Sequence, residues 1–441
     1  MQFIMKNISH SRGIVVIHVD ALRREITSAW LLANKLKSEG FKVILTSRIT
    51  TRHFLRFCTP DIFIASYVFT LDSSELHRLA EENTLIYINE VEGTDHEDGV
   101  STTYPDVFNH EKLDYKIFAG VFTWNEYSRK WLIENRCLHP TDIHASGSIR
   151  QSKYSKRQFD RSKTIGILSR FEIINTFDGR HPFSNLLDIN PEDHRNQWYF
   201  DRCAIDSEAF AIVCQIIEKI IDKGRVVSMR PHPNENPEPY NLLKKRFGFN
   251  FQVDDSYTIN EWLEKVCVVI GTTSTGFVEP YIAGIPIITI SDILTNKYRN
   301  NVVATLLDSF DLAAYKPENI EIAAELCLRE NLIPKISKPL DSFLNSFYNL
   351  NTVVDPVDTI ANVIKQQIKT NNRLISIYKY ITALILVHSL DLLTVIIALS
   401  RLRPSLTFNL LKNYHYNRFI HSPSLLMRSF KNKFEKVRLL P

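Results

Sequence analysis

Three short clusters combine residue types that handle protons and phosphates. Asn89-Glu90-Val91-Glu92-Gly93 sets two carboxylates on alternate residues, so an extended backbone turns both to one side. A carboxylate at a strand end can take the proton of a hydroxyl. The same residues also fit a solvated acidic turn, since Asp95, Glu97 and Asp98 follow closely. Arg230-Pro231-His232-Pro233-Asn234 holds a histidine between two prolines, which restrict the backbone on both sides. An imidazole fixed that way suits hydrogen bonding or proton donation to a phosphate. Arg230 adds a permanently charged fork for phosphate oxygens. Gly271-Thr272-Thr273-Ser274-Thr275-Gly276 places four hydroxyls in a row before a helix beginning near Phe277. Helix capping needs one of them; four are read as donors to an anion. Glu279, one turn into that helix, is placed to reach a ribose hydroxyl. His96 among acids is too little for a metal, and no metal site is expected.

The elements that would carry these clusters alternate between two periods. Short apolar runs rich in β-branched residues fall at 14–19, 42–46, 62–65, 85–88 and 117–122, with helical periodicity between them, as over 22–38 and 126–134. Strands that are apolar throughout belong to a parallel sheet covered on both faces. Residues 151–163 are polar and read as a linker. The alternation then restarts, with strands at 164–168, 225–229, 266–270 and 286–290 and a helix at 207–222. The expected organisation is one domain over 1–150, a second over 164–340, a helical return segment over 341–372 and a tail over 373–441; the resemblance given below implies that the first takes the acceptor and the second the nucleotide sugar. Both domains are Rossmann-like αβα layers, expected to face one another across a cleft with functional residues just after the strands. Ser169-Arg170 and Asn175-Thr176-Phe177-Asp178-Gly179 follow the first strand of the second domain and read as a hinge loop or a ligand contact.

Composition narrows the function. The chain has 441 residues, 44% hydrophobic and 23% charged, which excludes a disordered chain. Six cysteines without a CxxC pair fit a reducing compartment. There is no GxxxxGK[ST] loop, GxGxxG fingerprint, HExxH or GxSxG elbow, so kinase, dehydrogenase, zinc protease and serine hydrolase readings lack their chemistry. The net charge of +4 hides a basic tail: from Arg401 onward nine Lys/Arg stand against Glu435 alone. Such a tail seeks phosphate. The stretch from Tyr380 to Ser400 is apolar but holds His388 and Asp391. An Asp near a bilayer centre costs roughly 2.5–3.5 kcal/mol, so this stretch is read as lying in the membrane plane rather than spanning it. A buried helical hairpin is the alternative. Ile14 to Val19 is too short for a signal-peptide core. The expected location is cytoplasmic and peripheral, on the anionic inner face of the membrane. The tail aromatics come with no nucleic-acid module, and no nucleic-acid partner is expected.

Taken in order, these motifs resemble bacterial glycosyltransferases of the GT-B architecture, those using CMP-activated sugars (sialyl-, polysialyl- and Kdo-transferases) and, more closely, the surface carbohydrate biosynthesis protein family. Glu90-Val91-Glu92-Gly93, Phe122-Thr123-Trp124-Asn125, Ser146-Gly147-Ser148-Ile149-Arg150 and Arg230-Pro231-His232-Pro233 match that family's motifs over residues 13–310. Val91 stands where the family has a second acid, and Asn125 where it has a glycine.

The resemblance implies a single inverting displacement. Glu92, or Glu90, takes the acceptor proton, and His232 stabilises or protonates the departing phosphate. Arg230, Pro233, Thr272, Thr273, Ser274, Thr275, Gly276 and Glu279 hold the nucleotide. A CMP leaving group carries its charge on one phosphate and requires no metal cofactor in principle, in keeping with the missing Asp-x-Asp. The acceptor is expected to be a cell-surface glycan or lipid-linked glycan. A teichoic-acid-type glycerol- or ribitol-phosphate transferase and a non-catalytic sugar-nucleotide-binding protein are the competing readings.

Overall fold

The computed structural model describes residues 12–20, 22–66, 71–90, 114–136, 138–153, 164–176, 182, 195–232, 235–254, 256, 259–272, 274–295, 313–351 and 353–368, with positions 382, 385 and 389. The chain divides into two compact units, residues 1–153 with 344–441 and residues 154–343.

Unit 1 is a six-stranded parallel sheet in the order β2-β1-β3-β4-β5-β6. Its strands are β1 (Ile14–Val19), β2 (Lys42–Ser47), β3 (Ile62–Ala65), β4 (Leu85–Asn89), β5 (Phe118–Thr123) and β6 (Ile143–Ala145). All six residues of β1 are buried, as expected for a strand covered on both faces. The intervening helices are α1 (Leu22–Ser38), α2 (Arg48–Phe57), α3 (Ser73–Glu81) and α4 (Glu126–Arg136). Ile26, Ala29, Leu32, Ala33 and Leu36 form the buried stripe of α1 at helical spacing. The chain runs from β1 outward to β2, then crosses back to β3 on the other side of β1. The topological switch point of this sheet therefore lies between β1 and β3.

Unit 2 is a five-stranded parallel sheet in the order β11-β10-β7-β8-β9. Its elements are β7 (Thr164–Leu168), α5 (Arg195–Asp222), β8 (Val227–Arg230), α6 (Pro237–Phe247), β9 (Phe251–Val253), α7 (Ile259–Leu263), β10 (Val266–Gly271), α8 (Val278–Ala283), β11 (Ile287–Thr289) and α9 (Ile320–Leu328). Its switch point lies between β7 and β10. Gly271 is required there, because a Cβ would stand 2.6 Å from the carbonyl oxygen of Leu168. β6 and β9 have three residues each, too few to show a period in sequence; pairing with β5 and β8 makes them strands.

Two further helices, α10 (Lys338–Tyr348) and α11 (Pro356–Gln367), carry the chain from unit 2 into unit 1. Val357, Ile360, Ala361 and Ile364 give α11 a buried face. Ion pairs link it to α1, Lys35 to Asp358 at 2.9 Å and Lys365 to Glu39 at 2.6 Å. The return segment is thus part of unit 1. Among the described residues no helix is long and apolar enough to cross a membrane. Most of the apolar stretch 380–400 and all of the basic tail lie outside the described residues.

Candidate active site

In unit 2 the carboxyl ends of β10, β7 and β8 lie side by side. Strands sit about 4.8 Å apart, so the hydroxyl loop after β10 and the histidine loop after β8 are separated by about 10 Å, with β7 between them. Thr272 is buried, and its Oγ1 has no hydrogen-bond partner among the described residues. Ser274 does the capping: its Oγ accepts from Gly276 N at 3.2 Å and its carbonyl accepts from Phe277 N at 3.0 Å, closing a tight turn over Thr275–Phe277. One hydroxyl is thus used by the turn and another is held ready. Thr273 and Pro233 lie outside the described residues, as does the side chain of Thr275.

The histidine loop is organised by a residue that sequence reasoning missed. Glu235 is 1% exposed. Its Oε2 accepts from His232 N at 3.0 Å and Tyr240 Oη at 2.9 Å, and it is also bonded to the Ser169 hydroxyl. Its Oε1 accepts from Phe171 N. One carboxyl group therefore joins the loops after β7 and β8 and fixes the backbone of His232. Ser169 Oγ also accepts from His232 N at 3.1 Å and donates to the Arg230 carbonyl at 3.1 Å. Burial pushes the Glu235 carboxyl up to about 8, against the pull of its donors, and the same burial raises Tyr240 well above its ordinary value. The available signal was a glutamate three residues after His232, at the end of a proline-bounded loop.

Beside this hub, the loop after β7 contributes Glu172. Arg202, 5% exposed, pairs with Asp206 at 3.2 Å and approaches Glu172 at 3.7 Å. Burial drives the Glu172 carboxyl up, but the charges of His232, Arg170 and Arg202 together turn its net shift downward. Burial pushes Asp206 to about 7, opposed by Arg202. The basic groups around His232 are thus balanced by carboxylates, at the sheet edge built by β7 and β8.

Two expected ligand contacts, Arg230 and Glu279, are buried. Arg230 ends β8 rather than following it, and its Nη1 is bonded to Asp254 and to the Ser256 carbonyl. Through Nη1 it ties the end of β8 to the segment after β9. Glu279 is fully buried within α8.

In unit 1, Glu90 directly follows β4 and is 8% exposed. Its Oε2 accepts from Trp124 N at 2.8 Å, and its carbonyl accepts from Trp124 Nε1 at 2.8 Å. Trp124 packs against Phe347 and Tyr348. Asn125 Nδ2 donates to the Phe347 carbonyl at 2.9 Å, and Ser148 N to the Tyr348 carbonyl at 3.0 Å. The 122–125 and 146–150 segments therefore bind the returning chain, with Glu90 bracing β4 to β5. Glu92 lies outside the described residues. Among the described residues no group of three or more His, Cys, Asp or Glu could hold a metal ion.

No family model and no curated protein matches this sequence. Solved structures do. A variant of the wall teichoic acid polymerase TagF aligns over 83% of this chain and 92% of its own, at TM-score 0.50 and 10% identity. A TagF variant soaked with CDPG aligns over 82% and 90%, at 0.49 and 13%. UDP-GlcNAc 2-epimerase from Neisseria meningitidis, bound to UDP-GlcNAc, aligns over 80% and 100%, at 0.40 and 11%. At such identities the likeness concerns the fold: two parallel α/β domains of the kind found in GT-B enzymes.

Proposed function

We propose that the chain is an inverting transferase that moves a group from a nucleotide-activated donor to a hydroxyl of a surface glycan or lipid-linked acceptor. The observation that carries this reading is the switch point of unit 2. There a buried hydroxyl without a protein partner among the described residues (Thr272), a glycine pressed onto Leu168 and the pinned His232 loop share one sheet edge. Open parallel sheets bind nucleotides at that place. The donor phosphate sits between Thr272 with its neighbouring amides and His232. His232 steadies the charge that develops as the phosphate departs, the kind of positioned stabilisation that supplies much of an enzyme's rate. A CMP-activated sugar is the favoured donor. A CDP-alcohol would use the same edge, and TagF, of like fold, is named for teichoic acid polymerisation. The basic tail holds the enzyme on an anionic inner leaflet, at about 1 kcal/mol per Lys or Arg near the surface.

A thermal-shift comparison of CMP, CDP, UDP and GDP tests the reading. Nucleotide at a hundred times its Kd adds about 2.7 kcal/mol, or roughly 5–11 °C for a unit of this size. A shift with CMP alone supports a CMP-sugar donor, and turnover of CDP-glycerol in preference to CMP-sugars moves the assignment to the phosphotransferase. A melting curve indifferent to all four nucleotides refutes both. His232→Ala should fold normally and lose turnover.

A further inference from the structure

The last turn of α6 carries three cations, Lys244, Lys245 and Arg246, while the helix's one acid, Glu238, sits in its first turn. Cations at that end complement the helix dipole, which accounts for them in part. It does not account for the apolar groups among them. Pro237, Tyr240 and Phe247 are buried, and Leu243 packs partly against the core. At 3.6 residues per turn Leu242 points away from all four, and it is 61% exposed. Phe249, just past the helix, is 91% exposed.

The exposure of Phe249 is enforced by its neighbours. Gly248 ends α6 with φ +73°, a value that suits glycine. Its carbonyl accepts from Phe251 N, closing a tight turn over Gly248–Asn250. Phe247 and Phe251 on either side are buried, with ring centroids 5.4 Å apart. Both flanks are thus anchored in the core, and the ring between them is held outside. Lys244 and Lys245 are exposed as well, and Arg246 pairs with Glu218 through Nε at 3.0 Å. Three cations against one acid leave the patch positive.

A partner for this surface must be anionic. The chain's own tail, with nine Lys/Arg against one acid, is repelled by it. A second copy, docked by two-fold symmetry, would set the patch against itself with like charges. The apolar groups project rather than line a pocket, so a protein partner would have to supply a matching cavity. A bilayer accepts a projecting phenyl ring anywhere along its interface, where aromatic residues are enriched. The turn also precedes β9, at the amino ends of the strands, whereas Thr272 and His232 follow the carboxyl ends of β10 and β8. Docking here leaves the nucleotide edge of unit 2 open to water.

We propose that the end of α6 and the turn after it dock on an anionic lipid surface, Phe249 and Leu242 entering the headgroup layer and Lys244 and Lys245 meeting lipid phosphates. This contact does not depend on the transferase reading. One such signal holds a protein only reversibly, and the basic tail is the second.

Vesicle binding by the full chain tests this, with phosphatidylcholine alone and with phosphatidylglycerol added. In Phe249→Trp, the emission added over that of the unaltered protein should move to the blue on the anionic vesicles. It should also be quenched by lipids brominated along their acyl chains. Sedimentation with the vesicles while that emission stays unchanged would mean that the tail alone binds, and overturns the proposal. Leu242→Ser combined with Phe249→Ser should weaken binding to anionic vesicles about tenfold or more. Lys244→Gln and Lys245→Gln should weaken it about fivefold each. All four positions are exposed, so melting curves should match that of the unaltered protein and show that the variants fold. Undiminished vesicle binding by the folded serine variant overturns the proposal, as does an unaltered chain that ignores both kinds of vesicle.

Discussion

Replacing Glu235 by glutamine should change how the stability of unit 2 responds to pH. An unfolded glutamate releases its proton near 4.5, whereas the buried carboxyl of Glu235 holds it until about 8. Between those values the unfolded chain binds fewer protons than the folded one, so stability falls as pH rises, and the fall is complete once pH passes the folded value. From pH 5 to pH 8 this amounts to about 4 kcal/mol at 1.36 kcal/mol per unit. Glutamine does not titrate and lacks the slope. Its amide can donate to Ser169 Oγ, as the protonated acid does while the Ser169 proton goes to the Arg230 carbonyl. The variant should therefore fold, with a loss of about 1–3 kcal/mol from the mismatched His232 and Tyr240 donors. Asp206, raised to about 7, gives both proteins a slope of the same sign and cancels in the difference. The assay is the melting temperature of both proteins from pH 5 to 9. The unaltered protein should lead at pH 5, and its lead should shrink by roughly 8–16 °C by pH 9, taking 2–4 °C per kcal/mol. Parallel curves would mean that Glu235 is ionised throughout, its donors having outweighed its burial.

Three further outcomes are expected. Thr272→Val removes a buried hydroxyl without a protein partner among the described residues, so the free protein should gain about 1 kcal/mol while nucleotide affinity falls about tenfold; calorimetric titration with CMP and a melting curve together check both signs. Glu90→Ala strips the acceptor from Trp124 N, and urea titration should show a loss of about 1–3 kcal/mol with CMP affinity unchanged. Gly271→Ala drives a Cβ to 2.6 Å from the Leu168 carbonyl; the variant should lose about 1–3 kcal/mol and nucleotide binding together, and normal binding would show that the β7–β10 approach is not needed for the site.

The resemblance motifs illustrate how sequence can locate a segment without explaining it. Phe122-Thr123-Trp124-Asn125 and Ser146-Gly147-Ser148-Ile149-Arg150 stand out as clusters after strands. Their main work is to dock residues 347–349, more than 190 positions away, through Asn125, Ser148 and Asn349. Nothing local signals such a partner. Arg230 reads as a phosphate fork in sequence, and only the fold shows Asp254 beside it, because a guanidinium has the same donors for an internal carboxylate as for a ligand.

By itself the sequence determined the layers. Apolar β-branched runs alternating with helical stripes leave few ways to bury both faces of a strand, and two parallel α/β units follow from that. It also marked the glycine-hydroxyl loop and the proline-bounded histidine, since their residue types have few other uses in such density. Strand order was decided only by the tertiary structure, and with it the switch points. Crossing back from β2 to β3 sets the switch point of unit 1 between β1 and β3, and crossing from β9 to β10 brings Thr272 within two strands of His232. These crossovers bring together groups that are distant in the chain, and a local pattern carries no record of them. Glu235 acquires its significance from Ser169 and Phe171 in the loop after β7, and which loops are neighbours is set by packing rather than by the residues of either.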